Sequence, residues 1–364
     1  MRHLRRWIPW LLVAAFFFIA ISRFGEFEHL LATLITGQWN WVLVAALLQL
    51  AYFWAYAGIY RAAFDTVGVR SRQRSLFPVV IAAVFVNVAA PSAGASGAVL
   101  FVDDAKLRGE SGPRAMMGTM LTLAADYVAF IPILLLGMGY LFSRRDLNWL
   151  EVFSAVWLFA MLLGLSSAML LGLWRPALLQ RLLRELERGV NGLARRFKRS
   201  RYLPYGWAET YSAEFTGAAA AITARPGDSV RTLLWALSIH VIDMFCLLAV
   251  ALAFNEPLYP GVLVAGYAMC RLFWIASVTP QGIGFVEAMM TLTFTSLGVS
   301  VEHATVISLA FRGLSFWLPF GLGFLMMKRL PAFKSPVSGR PAEARPVRTP
   351  GMERPADETR IVEE

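Results

Sequence analysis

Two charged side chains flank a break in a long apolar stretch. Arg271 and Glu287 lie on either side of residues 279–284, within the apolar stretch 258–298. An ionised group in membrane hydrocarbon costs at least about 2.5–3.5 kcal/mol, so it usually faces a partner or a wet cavity. One interpretation is a cavity in which Arg271 meets an anionic phosphate and Glu287 orients or balances it. The other is a buried ion pair between them that holds two half-helices together.

Four further ionisable residues lie inside apolar runs. Asp126 and Arg312 are candidate cavity residues, or halves of ion pairs whose partners the sequence does not name. His240 and Asp243 are three residues apart and share one face of a helix. They could relay a proton, and the alternative is a hydrogen-bonded pair that joins two helices.

Glycine and proline interrupt two apolar stretches, 76–102 and 258–298. Broken helices expose backbone N–H groups and positive dipole ends, which suit a phosphodiester head group. Close packing of helices through small residues is the other explanation. The candidate residues at the two breaks are Asn87, Gly94, Gly97, Pro280, Gln281, Gly282 and Gly284. For Asn87, which precedes Pro91 by one turn, the more ordinary role is to satisfy freed backbone groups.

The composition is that of a membrane protein. The 364 residues are 57% hydrophobic and 16% charged, with a formal charge of +10, whereas soluble domains are about 45–50% apolar and about 25% charged. Basic residues are concentrated in short loops between apolar runs, which argues against nucleic-acid binding. Two cysteines in apolar runs form no disulfide framework. A soluble enzyme and a secreted module are excluded.

The order of apolar runs predicts an all-α polytopic fold. Six runs have about the length of a full transmembrane helix: 7–22, 39–60, 115–142, 150–174, 231–254 and 303–327. The two broken stretches are predicted to be re-entrant helical hairpins of opposite topology. For the first stretch, only re-entry places every basic loop in the cytoplasm, including the loop from Arg175 to Arg201 with nine Lys or Arg and two Glu. For the second stretch, two full spans would satisfy the same parity, but the 15 residues of 284–298 are short for a full span. The N-terminus and the C-terminal tail are then cytoplasmic too.

Outside the spans, the chain has two polar regions. Residues 175–230 form a cytoplasmic amphipathic helical loop, whose first helix is expected to pair with a second near 207–224 or to lie on the anionic inner leaflet. Residues 331–364 are rich in Pro, Arg and Glu and are predicted to be a disordered tail. The predicted transmembrane domain is therefore 1–330.

The two breaks also carry a resemblance to a known family. The residues around the second break resemble the C-terminal signature of the lysylphosphatidylglycerol synthase transmembrane-domain family, also called flippase-like integral membrane proteins: Arg271, Pro280, Gln281, Gly282, Ile283, Gly284, Glu287 and Arg312. The first break resembles the family in Asn87, Pro91, Gly94 and Gly97, and Asp126 follows in the next span. The resemblance covers most of 1–330. It implies lipid translocation rather than synthesis, because the family's soluble aminoacyl-transferase domain is not expected here.

We therefore expect translocation of an anionic or modified phospholipid, or of a polyprenyl-linked lipid, across the bacterial inner membrane. No cofactor, metal or nucleic acid is expected, and enzymatic activity is not the favoured reading. One alternative is a membrane-embedded transferase acting on a lipid-linked substrate, with Asp103 and Asp104 as its acidic pair. Another is a non-catalytic membrane partner that docks a soluble lipid-modifying synthase through residues 177–225. The sequence leaves the oligomeric state open.

Overall fold

The fold is known from a computed structural model, which describes residues 37–89, 95–144, 156, 167, 171, 174–196, 206–224, 226–277 and 280–327. These residues form helices and turns, with no strand among them. The predicted span 7–22, nearly all of 150–174, the residues Pro91 and Gly94, and the tail 331–364 lie outside the described residues.

The helices are numbered in chain order over the described residues. They are α1 (Trp39–Thr66), α2 (Gln73–Ala89), α3 (Ala95–Leu107), α4 (Gly112–Arg144), α5 (Pro176–Arg196), α6 (Trp207–Ala224), α7 (Pro226–Ala253), α8 (Pro260–Ala276), a 3₁₀ turn (Pro280–Gly282), α9 (Phe285–Ser296), α10 (Val301–Arg312), a π-helical turn (Gly313–Trp317) and α11 (Leu318–Met327). Helix α10, the π turn and α11 are continuous and make one long rod.

Four helical segments of the described part are long and apolar enough to cross a membrane. They are α1, α4, α7 and the rod from Val301 to Met326. The predicted spans 39–60, 115–142, 231–254 and 303–327 are thereby confirmed as membrane-spanning candidates. The chain is an all-helical protein with several such segments.

The remaining apolar helices are short. Helices α2 and α8 have 17 residues each, α3 has 13 and α9 has 12. At about 1.5 Å per residue, each is shorter than the hydrocarbon thickness of about 30 Å. The short helices occur as two pairs, α2 with α3 and α8 with α9, and the members of each pair pack against each other.

The order of these helices is repeated. A long helix, two short helices and a long segment occur first as α1–α4 and again from α7 to α11. Helices α1 and α7 have the same length, and so do α2 and α8. The number of residues from the start of α1 to the start of α7 equals the number from the start of α2 to the start of α8.

Equivalent helices of the two repeats also end in the same way. Helices α1, α3, α7 and α9 are each followed by a residue with positive φ, namely Gly68, Gly109, Asn255 and Gly298. In each case the next amide donates back to a carbonyl five residues earlier, the Schellman arrangement. The repeat is therefore visible in the caps as well as in the helix lengths.

The two repeats run in opposite directions. The Gln38 amide before α1 donates to the Ala253 carbonyl at the end of α7 at 2.8 Å, so these long helices are antiparallel. Gly58 of α1 lies against the Trp235 ring near the start of α7, where a Cβ would come within 2.7 Å of the ring. Each repeat also packs against the other. Helix α2 of the first repeat contacts α11 of the second, and helix α8 of the second repeat contacts α4 of the first.

The amphipathic helix α5 pairs with α6, which confirms the pairing alternative predicted for residues 177–224. Leu179 is buried, and Arg184 donates to Glu209 Oε1 at 2.9 Å. A backbone hydrogen bond and the Arg184 guanidinium lower the pKa of the exposed Glu209 carboxyl. Helix α6 in turn packs on α4, so this pair is attached to the bundle.

Candidate functional site

The second break packs against the two short helices that flank the first break. Ile283, in the break after α8, is buried in the same hydrophobic cluster as residues of α2 and α3, such as Phe85 and Phe101. The 3₁₀ turn Pro280–Gly282 also packs against α2. Polar residues predicted from both halves of the sequence are thus brought close to one another.

Arg271 of α8 forms an ion pair with Asp126 of α4. Its Nη2 donates to Asp126 Oδ2 at 2.7 Å, and the two side chains are only 12% and 3% exposed. The guanidinium also lies over the ring of Trp274, 4.7 Å from the ring centroid. An aromatic face adds a favourable cation–π contact to a desolvated cation.

His240 of α7 lies between Asp126 and Tyr267 and is fully buried. Its Nε2 is 3.2 Å from Asp126 Oδ1 and 3.2 Å from the Asp126 carbonyl oxygen, while its Nδ1 is 2.9 Å from the Tyr267 hydroxyl. The Nε2 hydrogen bond is to the Asp126 backbone carbonyl and the Nδ1 hydrogen bond is to the Tyr267 hydroxyl, whereas Asp126 Oδ1 has no hydrogen-bond partner among the described residues. His240 therefore joins α7 to α4 and α8.

Asp243, one turn further along α7, does not share this arrangement. The residue is buried, and among the described residues its Oδ1 has no hydrogen-bond partner. The alternative to a proton relay was a hydrogen-bonded pair of His240 and Asp243. His240 bonds instead to Asp126 and Tyr267. The reason is that α4 and α8, which pack beside α7, supply the partners of both imidazole nitrogens.

Arg312 of α10 forms the second buried ion pair, with Glu287 in the first turn of α9. Its Nε donates to Glu287 Oε1 at 2.9 Å and its Nη2 to the Gln281 carbonyl at 2.8 Å. The side chains are 7% and 15% exposed, and the guanidinium lies 5.0 Å from the Phe316 ring centroid. The second oxygen of Glu287 is buried without a hydrogen-bond partner among the described residues.

The pairing of Arg271 with Glu287 considered from the sequence is therefore corrected. The structure gives each of them a different partner, Asp126 and Arg312, which are the two residues whose partners the sequence could not name. The helices explain this result: α8 packs on α4, whereas α9 packs on α10. Each charged residue pairs with the long helix beside its own half-helix.

Trp274 connects the two ion pairs. Its ring faces Arg271, and its Nε1 donates to Gln281 Oε1 at 3.0 Å, while the Gln281 carbonyl accepts from Arg312. Trp274 and Tyr267 did not emerge as candidates from the sequence. They lie three residues after and four residues before Arg271, so helical spacing places all three on one face of α8.

The backbone of the second break explains why glycines occur there. Gln281, Gly282 and Gly284 have φ angles of 54°, 73° and 80°, a conformation that residues with a Cβ adopt at a cost. A Cβ on Gly282 would also come within 2.4 Å of the Val286 side chain. Three left-handed residues reverse the chain and let α9 begin at Phe285, which places Glu287 in its first turn.

The first break is supported by Asn87. Its Oδ1 accepts a hydrogen bond from the Gly97 amide at 2.7 Å, so the side chain satisfies a backbone group freed at the start of α3. A Cβ on Gly97 would lie 2.6 Å from the Asn87 amide nitrogen. Of the first-break candidates, Asn87 and Gly97 thus contact each other, and Gly94 lies outside the described residues.

The acidic pair Asp103 and Asp104 is held by cations of its own helix. Arg108 lies 2.7 Å from Asp104, and Lys106 lies 3.9 Å from Asp103. Over the described residues, no group of three or more His, Cys, Asp or Glu is placed to hold a metal ion.

Comparison with known proteins agrees with the resemblance seen in the sequence. Residues 6–323 match the model of the family described as "Lysylphosphatidylglycerol synthase TM region". A relative, "UPF0104 membrane protein MJ1595" of Methanocaldococcus jannaschii, is 21% identical over 323 residues, which are 87% of this chain and 93% of the relative. The matched range spans the residues of both short-helix pairs and of both ion pairs. The chain belongs to the lysylphosphatidylglycerol synthase transmembrane-region family.

Proposed function

We propose that this protein translocates an anionic or modified phospholipid, or a polyprenyl-linked lipid, between the leaflets of the bacterial inner membrane. The observation that supports this most is the pair of buried arginines at the second break, connected by Trp274 and Gln281. Buried cations inside a membrane bundle are typical of substrate pathways. Family membership supports a lipid as the substrate class.

The proposed topology has six full spans and two re-entrant hairpins, with the N-terminus and the C-terminal tail in the cytoplasm. The antiparallel repeats support it, because repeats of opposite direction place two hairpins that enter from opposite faces. The short helices and the packing of the second break against α2 support re-entry to mid-depth. In this proposal residues 1–330 are the transmembrane domain, and the α5–α6 pair lies on its cytoplasmic side.

The arginines have donors to spare for a phosphate. A guanidinium carries five N–H donors, and the described residues occupy some of them: Arg271 donates to Asp126, and Arg312 donates to Glu287 and to the Gln281 carbonyl. An incoming phosphate would bind the remaining donors and compete with Asp126 and Glu287 for the charge. The carboxylates then act as counter-ions that hold the cations in place when no lipid is bound.

Movement is either passive or coupled to a proton gradient in this proposal. A proton path is supported by the chain Asp126–His240–Tyr267 and by Asp243, whose buried oxygen lacks a hydrogen-bond partner among the described residues. For a coupled protein, Asp243→Asn removes the effect of an imposed pH gradient and leaves downhill movement. A rate that is equal in both directions and insensitive to the gradient contradicts coupling.

The transferase alternative lacks a supporting observation in the site. Asp103 and Asp104 face Lys106 and Arg108 of the same helix, a common arrangement at a solvated helix end. Docking of a soluble synthase through the α5–α6 pair also has no contact that favours it over attachment to α4.

A liposome assay tests the proposal. Fluorescent phosphatidylglycerol and a lysyl- or sugar-modified lipid are quenched from outside, in liposomes with wild type, Arg271→Gln, Arg312→Gln or the control Arg231→Gln. Arg231 is exposed near the start of α7 and carries the same charge outside the site. We expect movement with wild type and the control, and loss of most movement with the two site variants. Equal rates in all four, or no movement above protein-free liposomes with any tested lipid and gradient, contradict the proposal.

A further inference from the structure

A cavity lies between the end of α1, the start of α4 and helix α6, and none of the residues that line it belongs to the two buried ion pairs. Its volume is about 330 Å³, within the range of ligand pockets. The walls are mostly small and apolar, and include Val67, Met117, Gly217 and Ala221. The cavity is large enough for a phosphoglycerol group but not for a pair of acyl chains.

Arg114 is the charged residue in the lining of this cavity. Among the described residues, none forms an ion pair or a hydrogen bond with its side chain. The guanidinium reaches from α4 towards the turn after α1, where its Nη1 lies 4.0 Å from the position a Cβ would have on Gly68. An exposed arginine without a partner among the described residues therefore lies at the edge of an apolar pocket.

The position of Arg114 on its helix also indicates an anionic ligand. Arg114 lies in the first turn of α4, which contains no acidic residue. The positive end of a helix dipole disfavours a cation and favours an anion. A bound phosphate would compensate both the guanidinium and the helix end, as phosphates do at helix N-termini elsewhere.

The surroundings place this cavity at a membrane surface rather than in open solvent. Helix α5, which packs on the cavity helix α6, exposes Leu178, Leu182 and Leu186 at four-residue spacing, each more than 40% exposed. Trp174, just before α5, is 73% exposed, and tryptophan is enriched at membrane interfaces. Such a helix lies in the head-group region with its apolar face in the lipid.

We infer that this cavity binds the phosphate of an anionic phospholipid from the cytoplasmic leaflet, with Arg114 as its direct contact. The inference rests on the proposed function, since it would be the site at which a lipid is loaded before it reaches the second break. The head group occupies the cavity beside Gly68 and Ala221, while the acyl chains remain in the surrounding bilayer.

Photo-crosslinking tests this site without requiring any lipid movement. Phosphatidylglycerol with a diazirine next to the head group is irradiated in liposomes containing the full-length protein, and labelled peptides are mapped by mass spectrometry. We expect label on residues 114–117 and 217–224. Arg114→Gln is expected to reduce that label about tenfold, the loss that follows from removing one charge-assisted contact. The control Arg231→Gln keeps it.

Additional probes identify the ligand, and an additional variant controls for misfolding. A phosphatidylcholine probe should label these peptides much less, and excess inorganic phosphate should leave the labelling intact. Ala224→Trp, which fills the cavity without changing its charge, should reduce labelling in a protein that elutes normally by size exclusion. Equal labelling by phosphatidylcholine, displacement by free phosphate, or unchanged labelling in folded Arg114→Gln overturns the inference. Labelling that persists in a protein unable to move lipid overturns the proposed function alone.

Discussion

Charged residues in the centre of this bundle are stabilised as pairs. Arg271 with Asp126 and Arg312 with Glu287 join different helices at short distances and low exposure. Removing one partner of a buried ion pair destabilises a protein strongly, because the other charge stays buried without compensation. Replacing both partners by apolar residues destabilises it much less. Each pair is therefore expected to behave as a unit when it is mutated.

The first prediction concerns the Arg271–Asp126 pair. Arg271→Met should lower the free energy of unfolding by about 3–5 kcal/mol, because it leaves the Asp126 carboxylate buried without its cation. The double variant Arg271→Met/Asp126→Leu should cost less than the sum of the single variants. Denaturant unfolding in detergent micelles gives both values. The exposed pair Arg188–Glu185 serves as control, with a cost of at most about 1 kcal/mol. Strict additivity at Arg271 and Asp126 is the contrary result.

The second prediction concerns the glycine at the first break. Gly97→Ala should destabilise the protein by about 1–3 kcal/mol, since the added methyl collides with the Asn87 amide that caps α3. Gly139→Ala is the matched control, because its Cβ would meet nothing within 4 Å in the middle of helix α4. Thermal unfolding of the purified variants compares them. A control variant as unstable as Gly97→Ala contradicts the explanation.

At the scale of helices, we expect packing to stabilise the α5–α6 pair more than exposed charge does. Leu179 is 3% exposed, while the side chains of Arg184 and Glu209 are 43% and 48% exposed. Burial of an apolar side chain contributes more than an ion pair in water. Mutation of each side chain can test which of the two contributions to stability is larger.

The third prediction is that Leu179→Ala loosens this pair and Arg184→Gln does not. We expect a loss of about 2–5 kcal/mol for the leucine and less than about 1 kcal/mol for the arginine. The rate of limited proteolysis between α5 and α6 measures the local effect. Faster cleavage in Arg184→Gln than in Leu179→Ala is the opposite outcome.

Much of this arrangement can be predicted from the sequence, but the partners in the two ion pairs cannot, for a physical reason. Apolar run length predicts α1, α4, α7 and the last rod, and Gly and Pro predict the breaks beside Asn87 and Gly282. Which charged residue meets which depends on packing between distant helices, so the sequence could not assign Asp126 to Arg271. Helical spacing from Arg271 alone would have indicated Tyr267 and Trp274.

For the whole molecule, the inverted repeat is the organising feature. The antiparallel α1 and α7 place their C-terminal turns at opposite ends of the bundle. Those turns, at Gly68 and Asn255, are therefore predicted to lie on opposite sides of the membrane. The basic residues Arg70, Arg72 and Arg74 predict that the first of them lies in the cytoplasm.

Cysteine labelling tests this topology. Arg70→Cys should react with a membrane-impermeant maleimide only in inside-out vesicles, and Tyr259→Cys only in intact cells. Both positions are exposed, whereas the native Cys246 and Cys270 are buried and should give a low background. Reaction of both positions from the same side contradicts the inverted arrangement.

The central claim is that the buried arginines bind a lipid head group and do more than hold helices together. Its most direct test is the rate of lipid movement in the double variant Arg271→Gln/Asp126→Asn, which removes both charges of the first pair without leaving either one unpaired. The stability of this variant should lie near that of wild type, and its unfolding is measured on the same preparation. If Arg271 binds the head group, the folded double variant moves fluorescent phosphatidylglycerol at less than about a tenth of the wild-type rate, the consequence of losing at least 1.4 kcal/mol of binding. A stable double variant that moves lipid as fast as wild type would show that the pair is structural, and would contradict the account.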